Sequence, residues 1–240
     1  YINCVSPKII LTFIDNNPTF YKLKKKGSGF KTIFVQNGIR SSFNDIFAIK
    51  NKLDKKENNV DKMFLANKIY CKKYSSFVNG KTIPIGFFRN NMVKISKRTK
   101  KKEVLYVSVF RNYKKSVKIF KDVTYGDFFS NDPYFFKWLD NFCLQNNLKI
   151  NILTRASNVK DFLYEKKYFK QFFSSPNLIF ENNNPYKHLD RFEYVITNDS
   201  TLGIENLARG GKTGFVCNAP NKFPLTTRTV SYTHLTLPTT

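Results

Sequence analysis

Cysteine is scarce in this chain, and the few cysteines are scattered along it. They are Cys4, Cys71, Cys143 and Cys217, and no two of them form a C-x-x-C pair. Because a zinc site or a disulfide framework needs paired or closely spaced cysteines, this distribution argues against both. It predicts idle thiols in a reducing, cytoplasmic compartment.

Long apolar runs are also missing. No run approaches the roughly 18–20 residues that a membrane-spanning helix requires. The apolar residues nevertheless make up 41% of the chain, with 25 Phe and 13 Tyr, which is enough for a folded core. At 240 residues the chain can hold one large domain or two small ones.

Acidic residues are outnumbered, since 17 Asp and Glu stand against 41 Lys and Arg, giving a net charge of +24. Lysine, asparagine, isoleucine, phenylalanine and tyrosine all have A/T-rich codons, so genome composition explains much of this excess. Such a surface still attracts phosphates, nucleic acid or the anionic inner leaflet of a membrane. Because no known nucleic-acid motif is present, we expect no specific nucleic-acid partner.

Several motifs that carry chemistry are absent. The run Gly211-Lys212-Thr213 is similar to the end of a phosphate-binding loop, but Asn206 occupies the position of its first glycine. Ser200 lacks the G-x-S-x-G context of a hydrolase nucleophile. The acidic residues show no metal-ligand spacing, so we expect no metal and no cofactor.

The most informative stretch runs from Val195 to Val216. An apolar run is followed by polar residues, a helical segment, two glycines and a second apolar run, which predicts a strand–helix–strand unit. Ser200 and Thr201 suit the helix start, where free N–H groups and the helix dipole attract a phosphate. Glu205, about one turn later, could bind sugar hydroxyls. The alternative is an ordinary strand–helix connection that Ser200 caps.

The same alternation recurs along the chain and predicts an α/β fold with two parallel, Rossmann-like sheets. A basic run at 96–102 predicts the linker between them. We expect strands at 9–14, 32–35, 103–110, 149–153 and 178–180, and helices at 20–26, 62–74, 133–144 and 162–173. In the third of these helices, Phe135, Trp138, Leu139 and Phe142 have core-facing spacing.

The segment Asn198–Glu205, continued by Leu207–Gly210, resembles the D/N-S-T-x-G-x-E-x-x-A-R-G element of bacterial surface-carbohydrate biosynthesis proteins, which look like GT-B glycosyltransferases. Weaker matches lie earlier, in the order that the family has them. They are residues 13–17 with 20–21, residues 35–38 with Arg40, and residues 84–86 with 89–90.

This resemblance implies a GT-B-like pair of Rossmann-like units facing one cleft, both truncated at the chain ends. Residues 1–95 would be the C-terminal part of an acceptor domain. Residues 103–229 would form a truncated nucleotide-donor domain. Residues 230–240 resemble a translated sequencing adapter, so we expect an internal fragment of a longer protein and exclude this tail from the fold.

The implied activity is transfer of a sugar from a nucleotide-sugar donor to a glycan or lipid-linked acceptor, in the cytoplasm or at the inner membrane face. Ser200, Thr201, Gly203 and Glu205 would bind the donor. Either Arg111 or Arg155 would stabilise the charge of the leaving group. Asp15 would be the acceptor base, and the alternative for it is a turn-forming role. Asn37 and Arg40 would lie on the cleft loop.

Two other interpretations stay open at this point. The same fold could transfer a polyol phosphate or epimerise a nucleotide sugar. The chain could instead be a non-enzymatic basic module for nucleic acid or anionic lipid. Salt-sensitive binding without a preference for nucleotide sugars would distinguish the basic module.

Overall fold

A computed structural model describes residues 2–15, 17–27, 29–39, 54–96, 101–120, 123–181, 183–198 and 200–216. Arg40, Cys217, residues 97–100 of the predicted linker and the tail at 230–240 lie outside these ranges. The chain divides into two compact units, Tyr1–Lys94 and Ile95–Thr240.

The first unit is built on a four-stranded parallel sheet with the order β1-β2-β3-β4. Its strands are β1 (Ile9–Thr12), β2 (Lys31–Val35), β3 (Asn59–Leu65) and β4 (Asn79–Pro84). The α-helices are α1 (Ile2–Val5), α2 (Pro18–Tyr21), α3 (Lys68–Ser75) and α4 (Phe88–Asn91), with 3-10 turns at Leu23–Lys26 and Lys55–Glu57.

Asparagine side chains start two of these helices. Asn17 accepts a hydrogen bond from the Thr19 N–H, and Asn67 accepts one from the Tyr70 N–H, as N-cap residues do. The helices bury aromatic rings against the sheet, where Tyr74 lies 5.2 Å from Phe34 between ring centroids. An aromatic core therefore holds one face of this sheet.

The prediction of a helix at 62–74 was wrong for its first part, because β3 extends to Leu65 and α3 begins only at Lys68. Within the misread part Met63 and Leu65 are buried and the residue between them is not, which is the alternation of a strand. The segment is too short for this alternation to be distinguished from the helix that follows it.

The second unit is built on a five-stranded parallel sheet with the order β11-β10-β5-β8-β9. The strands are β5 (Lys101–Val107), β8 (Ile150–Leu153), β9 (Asn177–Ile179), β10 (Phe192–Thr197) and β11 (Lys212–Phe215). From β5 the chain adds β8 and β9 on one side of this strand. It then crosses back and adds β10 and β11 on the other side. This is the doubly wound order of a Rossmann-like unit.

Helices connect these strands, and a small hairpin follows β5. The helices are α5 (Tyr125–Phe128), α6 (Asp132–Gln145), α7 (Val159–Phe169), α8 (Tyr186–Leu189) and α9 (Thr201–Ala208). The hairpin pairs β6 (Lys118–Phe120) with β7 (Val123–Thr124). It was not predicted from the sequence, and it leads into α5 through a capping box of Thr124 and Asp127.

The core of the second unit corrects one further expectation. On α6 the buried positions are Phe136, Leu139 and Cys143, whereas Trp138 is 57% exposed. Phe135 and Phe142 pack partly against this core. The predicted apolar face was therefore displaced from the true one by part of a turn.

The predicted fold class is confirmed: both units are parallel α/β units of Rossmann-like type. Among the residues that the structure describes, no helix is long and apolar enough to cross a membrane. The same residues contain no group of three or more His, Cys, Asp or Glu side chains that could hold a metal ion.

Candidate functional site

Three neighbouring strands of the second unit end at one edge of the sheet. β10, β5 and β8 lie side by side and run parallel, so their carboxyl ends share an edge. Ser108–Arg111 follow β5, Thr154 and Arg155 follow β8, and Asn198–Thr201 follow β10. The chain changes direction between β5 and β10, and ligands of doubly wound sheets bind outside the strand ends at such a switch point.

Arg111 and Arg155 are two cations brought close together at this edge. Both residues are solvent-exposed in part. Partial burial lowers the pKa of the Arg155 guanidinium, and the positive charge of Arg111 lowers it further. An anion bound between these two guanidinium groups would offset their mutual repulsion.

Tyrosines hold Arg111 on its loop. The Arg111 N–H donates to the Tyr125 hydroxyl at 2.7 Å, and Nη1 donates to the Tyr113 hydroxyl at 3.1 Å. The guanidinium carbon lies 5.7 Å from the centroid of the Tyr113 ring. Burial raises the pKa of Tyr125 to about 12, so this hydroxyl stays neutral.

The start of α9 lies at the end of the next strand. Ser200 is its N-cap, and its Oγ accepts a hydrogen bond from the Leu202 N–H at 3.3 Å. The Ser200 N–H donates to Thr197 Oγ at 3.3 Å, and that hydroxyl donates to the Val107 carbonyl at 2.9 Å. The helix start is thus tied to β5, the strand that leads to Arg111.

Asn198 is held from two sides just before this helix. Its Oδ1 accepts a hydrogen bond from the Tyr106 hydroxyl at 2.6 Å, and its Nδ2 approaches Asp132 Oδ1 at 3.5 Å. Asp132 is 1% exposed and also accepts from the Tyr168 hydroxyl at 3.2 Å. This buried network fixes the turn that presents Ser200 and Thr201.

Gly203 and Glu205 lie on the inner side of α9. A Cβ on Gly203 would come within 2.7 Å of Thr197 Cγ2 and 2.8 Å of Phe215 Cε1. The glycine therefore permits close packing of the helix on β10 and β11. Glu205 is 5% exposed. The donor-binding roles of both residues stay predictions.

Asp15, in the first unit, is fully buried. Its Oδ2 accepts a hydrogen bond from the Tyr74 hydroxyl at 2.6 Å, and its carbonyl oxygen accepts one from the Tyr21 hydroxyl. A carboxylate so enclosed fits the turn-forming alternative better than the role of an acceptor base. The catalytic role stays a prediction.

Asn37 is exposed two residues after β2, and Arg40 lies outside the described residues. Gln36 was not among the predicted site residues, but it is buried and links this loop to the next strand end. Its Nε2 donates to the Gly38 carbonyl at 2.8 Å, and its Oε1 accepts from the Ala66 N–H at 2.9 Å. Polar residues at the ends of two adjacent strands are the signal that could have found it.

The second unit is thus a doubly wound α/β domain in which two arginines and a capped helix start share the switch-point edge. Comparison with known families then gives its membership. A sequence model of the family described as "putative O-antigen biosynthesis protein" matches residues 33–233, well over half of the chain. The chain belongs to this family, in agreement with the predicted link to surface-carbohydrate biosynthesis. A search of curated proteins gave no match.

Proposed function

We propose that this protein is a glycosyltransferase-like enzyme that transfers a sugar from a nucleotide-sugar donor to an O-antigen or related surface-glycan acceptor. The observation that carries the proposal is the pair Arg111 and Arg155 at adjacent strand ends of a doubly wound sheet. Membership of an O-antigen biosynthesis family supports the same substrate class.

The chemistry follows from charge. When the glycosidic bond to the donor breaks, negative charge grows on the departing phosphate. Arg111 and Arg155 would hold this phosphate through charge-assisted hydrogen bonds and stabilise the developing charge. The positive end of the α9 dipole, beside Ser200 and Thr201, would act in the same direction. No step of this scheme requires a metal ion.

The first unit is proposed to bind the acceptor, with Asn37 at one of its strand ends. An acceptor built on a lipid carrier would bring the protein to the anionic inner face of the membrane. The net charge of +24 supports such peripheral contact.

The experiment is calorimetric titration of nucleotide sugars into the protein and three arginine variants. Each charge-assisted hydrogen bond to a phosphate is worth ~1.5–3 kcal/mol, so Arg111→Gln and Arg155→Gln should each weaken binding roughly 10- to 100-fold. Arg191→Gln is the matched control, because Arg191 is exposed in the same unit but precedes β10, at the opposite edge of the sheet. It should bind like the parent protein.

The same variants decide between this proposal and a basic module. A basic module, which the net charge of +24 favours, would bind polyanions with strong salt dependence. The three arginine variants would then lose similar, small amounts of affinity. That pattern, or the absence of binding to any nucleotide sugar, would overturn the proposed transferase.

A further inference from the structure

Glu165 is a buried carboxylate that lies beneath two of the strand-end loops. It stands on α7 and is 2% exposed. Its Oε2 accepts hydrogen bonds from the Arg155 N–H at 3.0 Å and the Ala156 N–H at 3.1 Å, and its Oε1 accepts from the Arg155 N–H at 3.2 Å. The Ser108 side chain also hydrogen-bonds this carboxylate. One side chain thus joins the loop after β8 to the loop after β5.

Each of these loops carries one arginine of the candidate site. On the β8 side, Glu165 binds the backbone of Arg155 itself. On the β5 side, Ser108 Oγ accepts a hydrogen bond from the Phe110 N–H at 3.1 Å, one residue before Arg111. Few contacts therefore separate the Glu165 carboxylate from either arginine.

Placing a carboxylate in this position opposes folding unless its charge is compensated. Burial raises the pKa of Glu165, while hydrogen bonds from Ser108, Arg155 and Ala156 and the charge of Arg155 lower it in part. The pKa of the Tyr106 phenol is raised by burial and further by the negative charge of Glu165. An apolar residue of similar size would avoid the desolvation penalty but would leave the Arg155 and Ala156 N–H groups without an acceptor, so the carboxylate acts by holding these loops.

We infer that Glu165 is a positioning residue that sets the spacing of Arg111 and Arg155 for a ligand of the diphosphate class. Its oxygens accept backbone and hydroxyl hydrogen bonds beneath the site, so it acts through the loops and does not touch the ligand. The negative charge below the two guanidinium groups also reduces their mutual repulsion before the ligand binds. This inference rests on the proposed function of the same site.

The test uses inorganic pyrophosphate as the probe and calorimetry on the full chain. Glu165→Gln replaces one acceptor oxygen by an NH₂ group that faces N–H donors. Residues that support metal ligands contribute roughly 10- to 100-fold to affinity, and by analogy we expect a loss of about tenfold here. Glu57→Gln, a partly exposed position in the first unit with the same change in charge, should leave the affinity unchanged.

A pH series separates positioning from a merely structural role. At each pH the dissociation constant of Glu165→Gln is divided by that of the parent protein. Because both proteins bind the same pyrophosphate species, the protonation of pyrophosphate does not affect this ratio. As the pH falls through the raised pKa of Glu165, the parent carboxyl gains a proton and the ratio should approach one. A variant that is only damaged structurally would keep a constant ratio.

Ser108→Ala provides a second route, because it removes only the link to the β5 loop. It should weaken pyrophosphate binding by about two- to fivefold, as expected for loss of one hydrogen bond. It also decides the question if Glu165→Gln does not fold.

Four outcomes are distinguishable. Weaker, pH-dependent binding by Glu165→Gln supports the inference. Equal affinity in the parent and both variants, or a constant ratio, overturns the inference and leaves the transferase proposal standing. Pyrophosphate binding with the expected variant effects but without nucleotide-sugar binding overturns only the proposed function. A parent protein that binds neither ligand overturns both.

Discussion

Arg209 and Asp190 form a two-point ion pair inside the second unit. Arg209 Nε donates to Asp190 Oδ1 at 2.8 Å, and Nη2 donates to Oδ2 at 2.5 Å. The side chains are 2% and 5% exposed. The Ser96 N–H also donates to Asp190 Oδ2 at 2.9 Å. The pair therefore fastens the end of α9, which Ser200 begins, to the start of this unit.

Breaking this pair from one side should be strongly destabilising. Arg209→Met leaves the Asp190 carboxylate buried without its cation, which costs about 3–5 kcal/mol of unfolding free energy. Arg209→Lys keeps the charge but loses the two-point geometry, so its loss should be smaller. Urea unfolding measures both. A loss below about 1 kcal/mol in Arg209→Met would contradict this account.

Asp61 should make the first unit sensitive to acid. Partial burial of this carboxylate would raise its pKa, but hydrogen bonds from Thr32 and Lys24 outweigh burial and lower the pKa to about 2. The folded chain thus favours the ionised form. Its stabilising effect is complete above the ordinary pKa of 3.8 and is lost as the pH falls from 3.8 towards 2.

The matching measurement compares the parent protein with Asp61→Asn by denaturant unfolding across this pH range. The difference in unfolding free energy should be constant near neutrality and should shrink between about pH 4 and pH 2. If the curves of unfolding free energy against pH stay parallel for the two proteins down to pH 2, Thr32 and Lys24 do not lower the pKa of Asp61.

Two neighbouring residues on α6 should respond very differently to truncation. Leu139 is fully buried, so Leu139→Ala should cost about 2–5 kcal/mol through lost packing and a cavity. Trp138 is 57% exposed and stacks on Phe135 and Phe142, so Trp138→Ala should cost only about 1 kcal/mol. As the one tryptophan of the chain, it should also be accessible to acrylamide quenching. Equal losses would restore the interpretation of Trp138 as a core residue.

Gly203→Ala should push α9 away from the sheet. The added methyl would overlap Thr197 and Phe215, and overpacking of this kind costs about 1–3 kcal/mol. Gly29→Ala is the control, because a Cβ there meets nothing within 4 Å. Thermal unfolding of both variants gives the comparison. A Gly203→Ala protein as stable as the control would mean that the helix can shift freely.

Secondary structure was predictable where local pattern and tertiary role agree. Residues 104–107 of β5 are an apolar run in the middle of a parallel sheet, and their buried position follows from composition alone. The end of β3 was misread because its short apolar segment lies only two residues before α3, so that the two read as one helix in the sequence. Trp138 was misplaced because hydrophobicity does not tell which side of a helix the sheet will cover.

The candidate site was predictable one residue at a time. Arg111 and Arg155 each follow a strand, and this is visible in the sequence. Their proximity depends on β5 and β8 being neighbours, which is a property of the strand order. Glu165 had no local signal as a site residue, because an acidic side chain in an amphipathic helix ordinarily faces solvent. Only the folded unit shows it turned inwards.

The pairing of β5 with β10 determines when the site forms during folding. The hydrogen bond from Tyr106 to Asn198 joins residues 92 positions apart, so a long loop must close before the turn at Ser200 is fixed. If an anion binds at this edge as proposed, it should bind only chains whose sheet is complete. At 100 times its dissociation constant it would add about 2.7 kcal/mol to the stability of the folded unit. A rise in melting temperature on adding nucleoside diphosphates is accordingly a direct screen for the ligand.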